Sequence, residues 1–224
     1  MKNLKRITLF AGHYGSGKTN VAVAFAKKIK QELDKTVCIY DLDIVNPYFR
    51  TVDASEELKK FGVETIVSPF AESNVDLPAL SSASYRMIDD KNAYAVVDIG
   101  GDDRGALALG RFSPEIAKEN DYDLLFVVNK YRPETRDLDG AIQIFKEIEY
   151  SGKLKFTGIV NNSNLGVETT PEMVINSVDF VEKLSNALNL PVKFTAVKDD
   201  LFDKVKNRIK DLLPVSLIKY GNWL

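Results

Sequence analysis

The chain has 224 residues, 45% of them hydrophobic, which is enough for a substantial core and fits a single domain over residues 1–224. A formal net charge of −2 leaves no basic footprint, which argues against a protein that holds nucleic acid through its phosphates. A single cysteine, Cys38, excludes an intramolecular disulfide or a multi-thiolate metal site within one chain. No apolar run reaches the length of a membrane span and residues 1–6 carry no signal-type segment, so a cytoplasmic protein is expected.

Ile7-Thr8-Leu9-Phe10-Ala11 predicts a first strand, and the apolar positions from Val21 to Ile29 predict a helix. Between them lies Gly12-His13-Tyr14-Gly15-Ser16-Gly17-Lys18-Thr19, the phosphate-binding pattern Gly-x-x-x-x-Gly-Lys-Thr in the strand–loop–helix setting it requires. Glycines let the backbone curl so that its N–H groups point inward, the helix N-terminus adds a positive end, and Lys18 neutralises phosphate oxygens. Thr19 is placed to put its hydroxyl on Mg²⁺. The nucleotide-binding residues expected from this stretch are Gly12, Tyr14, Gly15, Ser16, Gly17, Lys18, Thr19 and Asn20.

A second strand is predicted over 35–43, with Cys38 inside it and the acidic end Asp41-Leu42-Asp43 beside the phosphate loop. A proline-bearing loop over 44–50, a helix over 52–61, a strand over 63–67, a polar loop over 68–78 and a helix over 79–89 follow. Tyr94 to Asp98 predicts a buried strand ending in an acid, followed by Ile99-Gly100-Gly101, where a nucleotide hydrolase carries its second acidic element. Asp102, Asp103 and Arg104 come next. Two acids so near a triphosphate repel it unless they turn outward, and Asp103 also suits a helix cap.

A helix over 106–120 with a break near Ser113-Pro114, a strand over 124–128 and a helix over 134–150 continue the alternation. Strand 155–160, helix 171–188, strand 191–197 and helix 200–213 complete it. The last of these has an amphipathic pattern, but acids dilute its positive face, so it reads as a helix packed on the core rather than on a membrane. Strand–helix repeats of this length predict a doubly wound, mainly parallel α/β sheet of about seven strands with helices on both faces. Asn129-Lys130-Tyr131-Arg132 stands where guanine-specific enzymes carry Asn-Lys-x-Asp. Arg132 replaces the aspartate that pairs with the guanine edge, which disfavours GTP.

The order of phosphate loop, Asp-x-Asp strand end, Asp-x-x-Gly strand end, Pro-Glu-x-Arg-Asp segment and strand ending in Asn resembles the MinD/ParA/CobQ group of P-loop proteins over nearly the whole chain. The resemblance implies a P-loop sheet that binds ATP and Mg²⁺, a nucleotide-dependent homodimer, and slow hydrolysis used as a switch toward a protein partner, as in enzyme or cofactor maturation. It implies that Asp43 orients the attacking water or holds a Mg²⁺-bound water, that Asp98 holds Mg²⁺ through water, and that Gly101 offers its N–H to the γ-phosphate. It also implies that Asn161, at the end of the strand Gly158-Ile159-Val160, contacts adenine, although asparagines in Asn161-Asn162-Ser163-Asn164 also suit a turn.

The group carries a second lysine five residues before the Gly-Lys lysine, and here that position is His13. An imidazole is charged only part of the time near neutral pH, so His13 either acts across the dimer with pH sensitivity or hydrogen-bonds locally. Two other functions share the core: a small-molecule kinase or ligase resembling dethiobiotin synthetase, with a substrate pocket built from residues 46–50, 73–80 and 104–111, and a nucleotide sensor that does not hydrolyse.

Overall fold

The computed structural model describes residues 4–42, 54–67, 82–101 and 103–217. Eight strands form one sheet: β1 (Ile7–Ala11), β2 (Val37–Leu42), β3 (Glu64–Val67), β4 (Tyr94–Ile99), β5 (Tyr122–Val128), β6 (Gly158–Asn161), β7 (Val192–Lys198) and β8 (Leu212–Val215). Their order is β3-β2-β4-β1-β5-β6-β7-β8, and every neighbouring pair is parallel. The helices are α1 (Lys18–Glu32), α2 (Ser55–Lys60), α3 (Ser82–Asp89), α4 (Asp103–Glu119), α5 (Leu138–Gly152), α6 (Pro171–Leu188) and α7 (Asp199–Val205).

A parallel sheet needs cover on both faces, and the strand sequences supply apolar side chains to each. On one face Phe10, Ile39, Val96, Leu125 and Val127 pack under α1 and α2 through Val21, Phe25, Ile29 and Leu58. On the other, Leu9, Tyr40, Val97 and Phe126 pack under α4, α5 and α6 through Phe112, Ile144 and Val181. The alternation along β4 places Asp98 on the α1 face, beside Val96, at the end of a strand that adjoins β1. Asp41 pairs in register with Asp98 on β2 and shares that face.

Three expected elements differ from the structure. The helix expected over 200–213 stops at Val205, and Leu212–Val215 forms the eighth strand against β7. The chain reverses at Asp211, which has φ 52°, and the Asp211 carbonyl accepts from Thr195 N at 2.9 Å. Pro214 is exposed on this strand at the end of the sheet order, where a missing N–H is tolerated. Helix α4 runs through Ser113-Pro114 without ending. The Ser113 hydroxyl bonds the carbonyls of Leu109 and Gly152, tying this stretch to α5. Helix α5 starts at Leu138 rather than Glu134, because Asp137 caps it by accepting from Gly140 N at 2.9 Å. Pro133–Thr135 form a short 3-10 turn ahead of it. The helix expected over 171–188 is found at those bounds, with Thr170 capping Met173 N.

Candidate functional site

Residues 12–17 leave the end of β1 and curl into α1, and the curl is held by contacts from three directions. Gly17, the residue that caps α1, has φ 82°, and a Cβ there would lie 2.3 Å from Asn162 Nδ2. Only glycine satisfies both the left-handed backbone and the close neighbour. Ser16 N donates to His13 O at 3.1 Å and Lys18 Nζ to the same carbonyl at 3.4 Å, so the lysine arches back over the loop. Asn162 Nδ2 donates to Ser16 O at 2.6 Å, and Arg132 Nε to Gly15 O at 2.8 Å.

Those last two bonds decide the loop's polarity. The carbonyl of one residue and the N–H of the next point in opposite directions within their shared peptide plane. Drawing the Ser16 carbonyl toward Asn162 therefore turns the Gly17 N–H toward the opposite side. That N–H and Lys18 stand at the N-terminus of a 15-residue helix, an arrangement whose charge suits an anion.

A cleft of about 500 Å³ begins at this curl, with Tyr14, Gly15, Gly17, Lys18, Thr19 and Asn20 on its walls. It continues past Arg132, Asn162, Ser163 and Asn164 to apolar surface from Val174, Val197, Val215 and Leu217. The polar segment at the end of β6 is built by its own side chains. Asn129 Oδ1 accepts from Tyr131 N and Asn164 N, and Asn129 Nδ2 donates to Asn164 O at 2.9 Å, which ties the loops after β5 and β6 together. Ser163 Oγ accepts from Lys130 N, and Tyr131 Oη donates to Met173 O on α6. Burial raises the Tyr131 phenol above its ordinary pKa of 10.0, so it stays a donor.

The expected site residues fall as follows. Gly12 through Asn20 form the curl and the first turn of α1. Asp98 is 1% exposed on the α1 face, and Gly101 lies against the loop: a Cβ there would meet Tyr14 N at 2.7 Å and Lys18 Nζ at 2.9 Å. His13 bonds locally, Nδ1 to Tyr14 O at 3.0 Å, and stands 3.8 Å from Glu134 Oε2. Asp43, the expected segments 46–50 and 73–80, and Asp102 lie outside the described residues.

Asn161 was expected at the base. Its carboxamide is spent inside the fold, Nδ2 on Ser177 Oγ at 2.8 Å and Oδ1 on Ser163 N, and the side chain on the cleft wall is that of Asn162. Arg132, at the position where guanine-specific enzymes carry an aspartate, makes a contact on the phosphate loop that its sequence neighbourhood does not signal.

Magnesium takes hard oxygen donors, keeps several waters and is held through one or two carboxylates together with ligand phosphates. The Thr19 hydroxyl in the first turn of α1 and the Asp98 carboxylate on the same face of the neighbouring strand have the chemistry that such an ion needs.

No family model matches the chain, and no curated protein matches it. Solved structures do. FtsY from Mycoplasma mycoides aligns with a TM-score of 0.57 at 18% identity, covering 88% of this chain and 61% of that one. This is a P-loop NTPase fold. The P-loop neighbours include cell division protein FtsY from Thermotoga maritima, with a TM-score of 0.57, 20% identity and coverage of 88% and 63%. They also include the signal recognition particle 54 kDa protein from Aeropyrum pernix in complex with GDP, with a TM-score of 0.55, 17% identity and coverage of 87% and 41%. The chain thus spans less than two thirds of the length of each of these P-loop proteins.

Proposed function

We propose that this protein is a Mg²⁺-ATP-binding switch of the MinD/ParA/CobQ kind, one nucleotide-binding domain that hydrolyses ATP slowly and acts on a protein partner. The observation that carries the reading is the loop itself: a glycine curl with its carbonyls tied back by Arg132 and Asn162, and Lys18 arched over it. Lys18 neutralises the β- and γ-phosphates, and Thr19 and Asp98 hold Mg²⁺, which supplies charge neutralisation when bound. Asp43 orients the attacking water, and the Gly101 N–H, already packed on Tyr14 and Lys18, senses the γ-phosphate. A nucleotide-dependent homodimer brings His13 to the neighbouring subunit's phosphates after it leaves Glu134. The protein works in the cytoplasm.

The cleft lining supports adenine as the base. Guanine presents N1–H and N2–H₂ donors that a carboxylate recognises, and among the described residues lining the cleft there is no Asp or Glu. Amides and hydroxyls from Asn162 to Asn164 line the polar part instead, with Asn161 shaping that turn from behind. One observation favours a second reading, a guanine-nucleotide switch: a structural neighbour was solved in complex with GDP.

Turnover measurements on purified protein with Mg²⁺-ATP and Mg²⁺-GTP, run beside its oligomeric state, test both. The expected result is slow ATP turnover that Asp43→Ala abolishes and an ATP-dependent dimer that His13→Ala weakens. Turnover of GTP alone would establish the second reading. Tight ATP binding as a monomer, with turnover only when a metabolite is added, would favour a small-molecule kinase or ligase.

A further inference from the structure

Arg132 ties back the Gly15 carbonyl through Nε, and the switch reading leaves the rest of its guanidinium without a task. Among the described residues three cations line the cleft: Lys18, Lys198 and Arg132. Lys18 belongs to the phosphate curl, and Lys198 is paired with Asp200 at 3.3 Å. Arg132 has no carboxylate partner among the described residues, and its Nε is committed to Gly15 O.

That bond fixes where the guanidinium lies. The guanidinium lies directly against Gly15, since Nε and Cζ would both be within 3.5 Å of a Cβ placed there. The Gly15 carbonyl points out of the curl, since the N–H of the same peptide, that of Ser16, turns inward to His13 O. Arg132 therefore stands outside the phosphate cradle, on the wall of the cleft that runs on toward Asn164, Val197 and Val215. Its backbone is held as well, Arg132 N on Asn129 O and Arg132 O under Thr135 N, both at 3.1 Å. A planar, delocalised cation held on the wall beyond the phosphates presents a face suited to an aromatic ring.

We infer that Arg132 is a base-recognising residue, its guanidinium stacking on the purine of the bound nucleotide while Nε keeps the phosphate loop in place. The inference rests on the nucleotide-binding reading above and assigns that site a specificity residue. The stack gives a purine nucleotide an attraction that a bare phosphate chain lacks.

The test compares two Mg²⁺-loaded ligands by isothermal titration calorimetry: an ATP analogue with an imido bridge that blocks hydrolysis, and inorganic tripolyphosphate. Wild type, Arg132→Ala and Arg132→Lys are measured on the full chain. Arg132→Ala loses both the stack and the loop bond, so it should weaken the ATP analogue roughly tenfold more than it weakens tripolyphosphate, and Arg132→Lys, which keeps charge and an N–H but not the plane, should recover only part of that difference. Equal losses for both ligands would overturn the inference, because Arg132 would then act on the phosphates or only on the loop. Unchanged ATP binding in Arg132→Ala, or full recovery in Arg132→Lys, would overturn it too. Wild-type protein that binds neither ligand would instead overturn the nucleotide-binding reading, and this inference with it.

Discussion

Asn162→Ala removes the donor that orients the phosphate loop, and the structure allows the consequence to be sized. Asn162 is 6% exposed and its Nδ2 reaches Ser16 O at 2.6 Å. Alanine leaves that carbonyl without this donor in a buried setting, a cost of about 1–3 kcal/mol. For a chain of this size that corresponds to a melting temperature lower by roughly 2–10 °C. The freed Ser16–Gly17 peptide must then be re-ordered by the ligand, and if one hydrogen bond's worth, about 1.4 kcal/mol, moves into binding, ATP affinity falls about tenfold. Thermal melts with and without Mg²⁺-ATP, together with calorimetric affinities, separate the two effects. The control is the adjacent residue. Asn161→Ala loses bonds to Ser177 Oγ and Ser163 N, so it should lower stability while leaving ATP affinity within about twofold. An Asn162→Ala protein with wild-type melting and affinity, or a loss of affinity confined to Asn161→Ala, would refute the reasoning.

Gly101→Ala puts a Cβ within 3 Å of Tyr14 backbone atoms and Lys18 Nζ, so it should lower the unliganded melt, weaken ATP binding and block turnover; an unaltered melt and turnover would show that Gly101 does not sit against the loop in solution. At the opposite end of the sheet, buried Arg6 bonds Glu119 through both carboxylate oxygens and also meets the carbonyls of Met87, Asp90 and Ala93. Arg6→Ala should cost about 3–5 kcal/mol of stability and leave the nucleotide site untouched. Arg6 and Lys91 hold the Glu119 carboxyl below its ordinary value of 4.5, so its contribution is complete above that pH and is lost as pH falls through the lower, folded value. Denaturant titrations should therefore show the gap between wild type and Arg6→Ala narrowing below about pH 4.5; a constant gap down to pH 3 would contradict this. Cys38 is fully buried, and burial, with Glu64 beside it, pushes its thiol up to about 11, so a polar disulfide reagent at pH 8 should label it only as fast as the protein unfolds. Rapid stoichiometric labelling of the folded protein would show that the edge strand β3 opens away from β2.

The parts of this fold that sequence made legible are those whose cause is local. The phosphate loop needs glycines, a lysine and a strand–helix setting within one short stretch, and α6 carries Thr170 before Pro171 at its start and Asn189 in the left-handed conformation at its end. The C-terminal segment was not legible because Leu212, Leu213 and Val215 suit either a helical or an extended reading, and pairing with Thr195 to Lys198 on β7 decided the matter. Position along β6 settled the asparagine at the cleft, since successive side chains of a strand face opposite ways. Asn161 turned to α6 and Asn162 to Ser16. The role of Arg132 depends on a contact between residues 117 apart in sequence, which no local pattern encodes.

Calorimetric titration of wild-type and Lys18→Ala protein with the non-hydrolysable ATP analogue, in the presence and absence of Mg²⁺, bears most directly on nucleotide binding at the phosphate loop. Saturable one-site binding that Mg²⁺ strengthens and Lys18→Ala weakens by tenfold or more is the expected result. Equal affinity in the two proteins, or no binding by the wild type, would contradict the assignment of this loop as a nucleotide site.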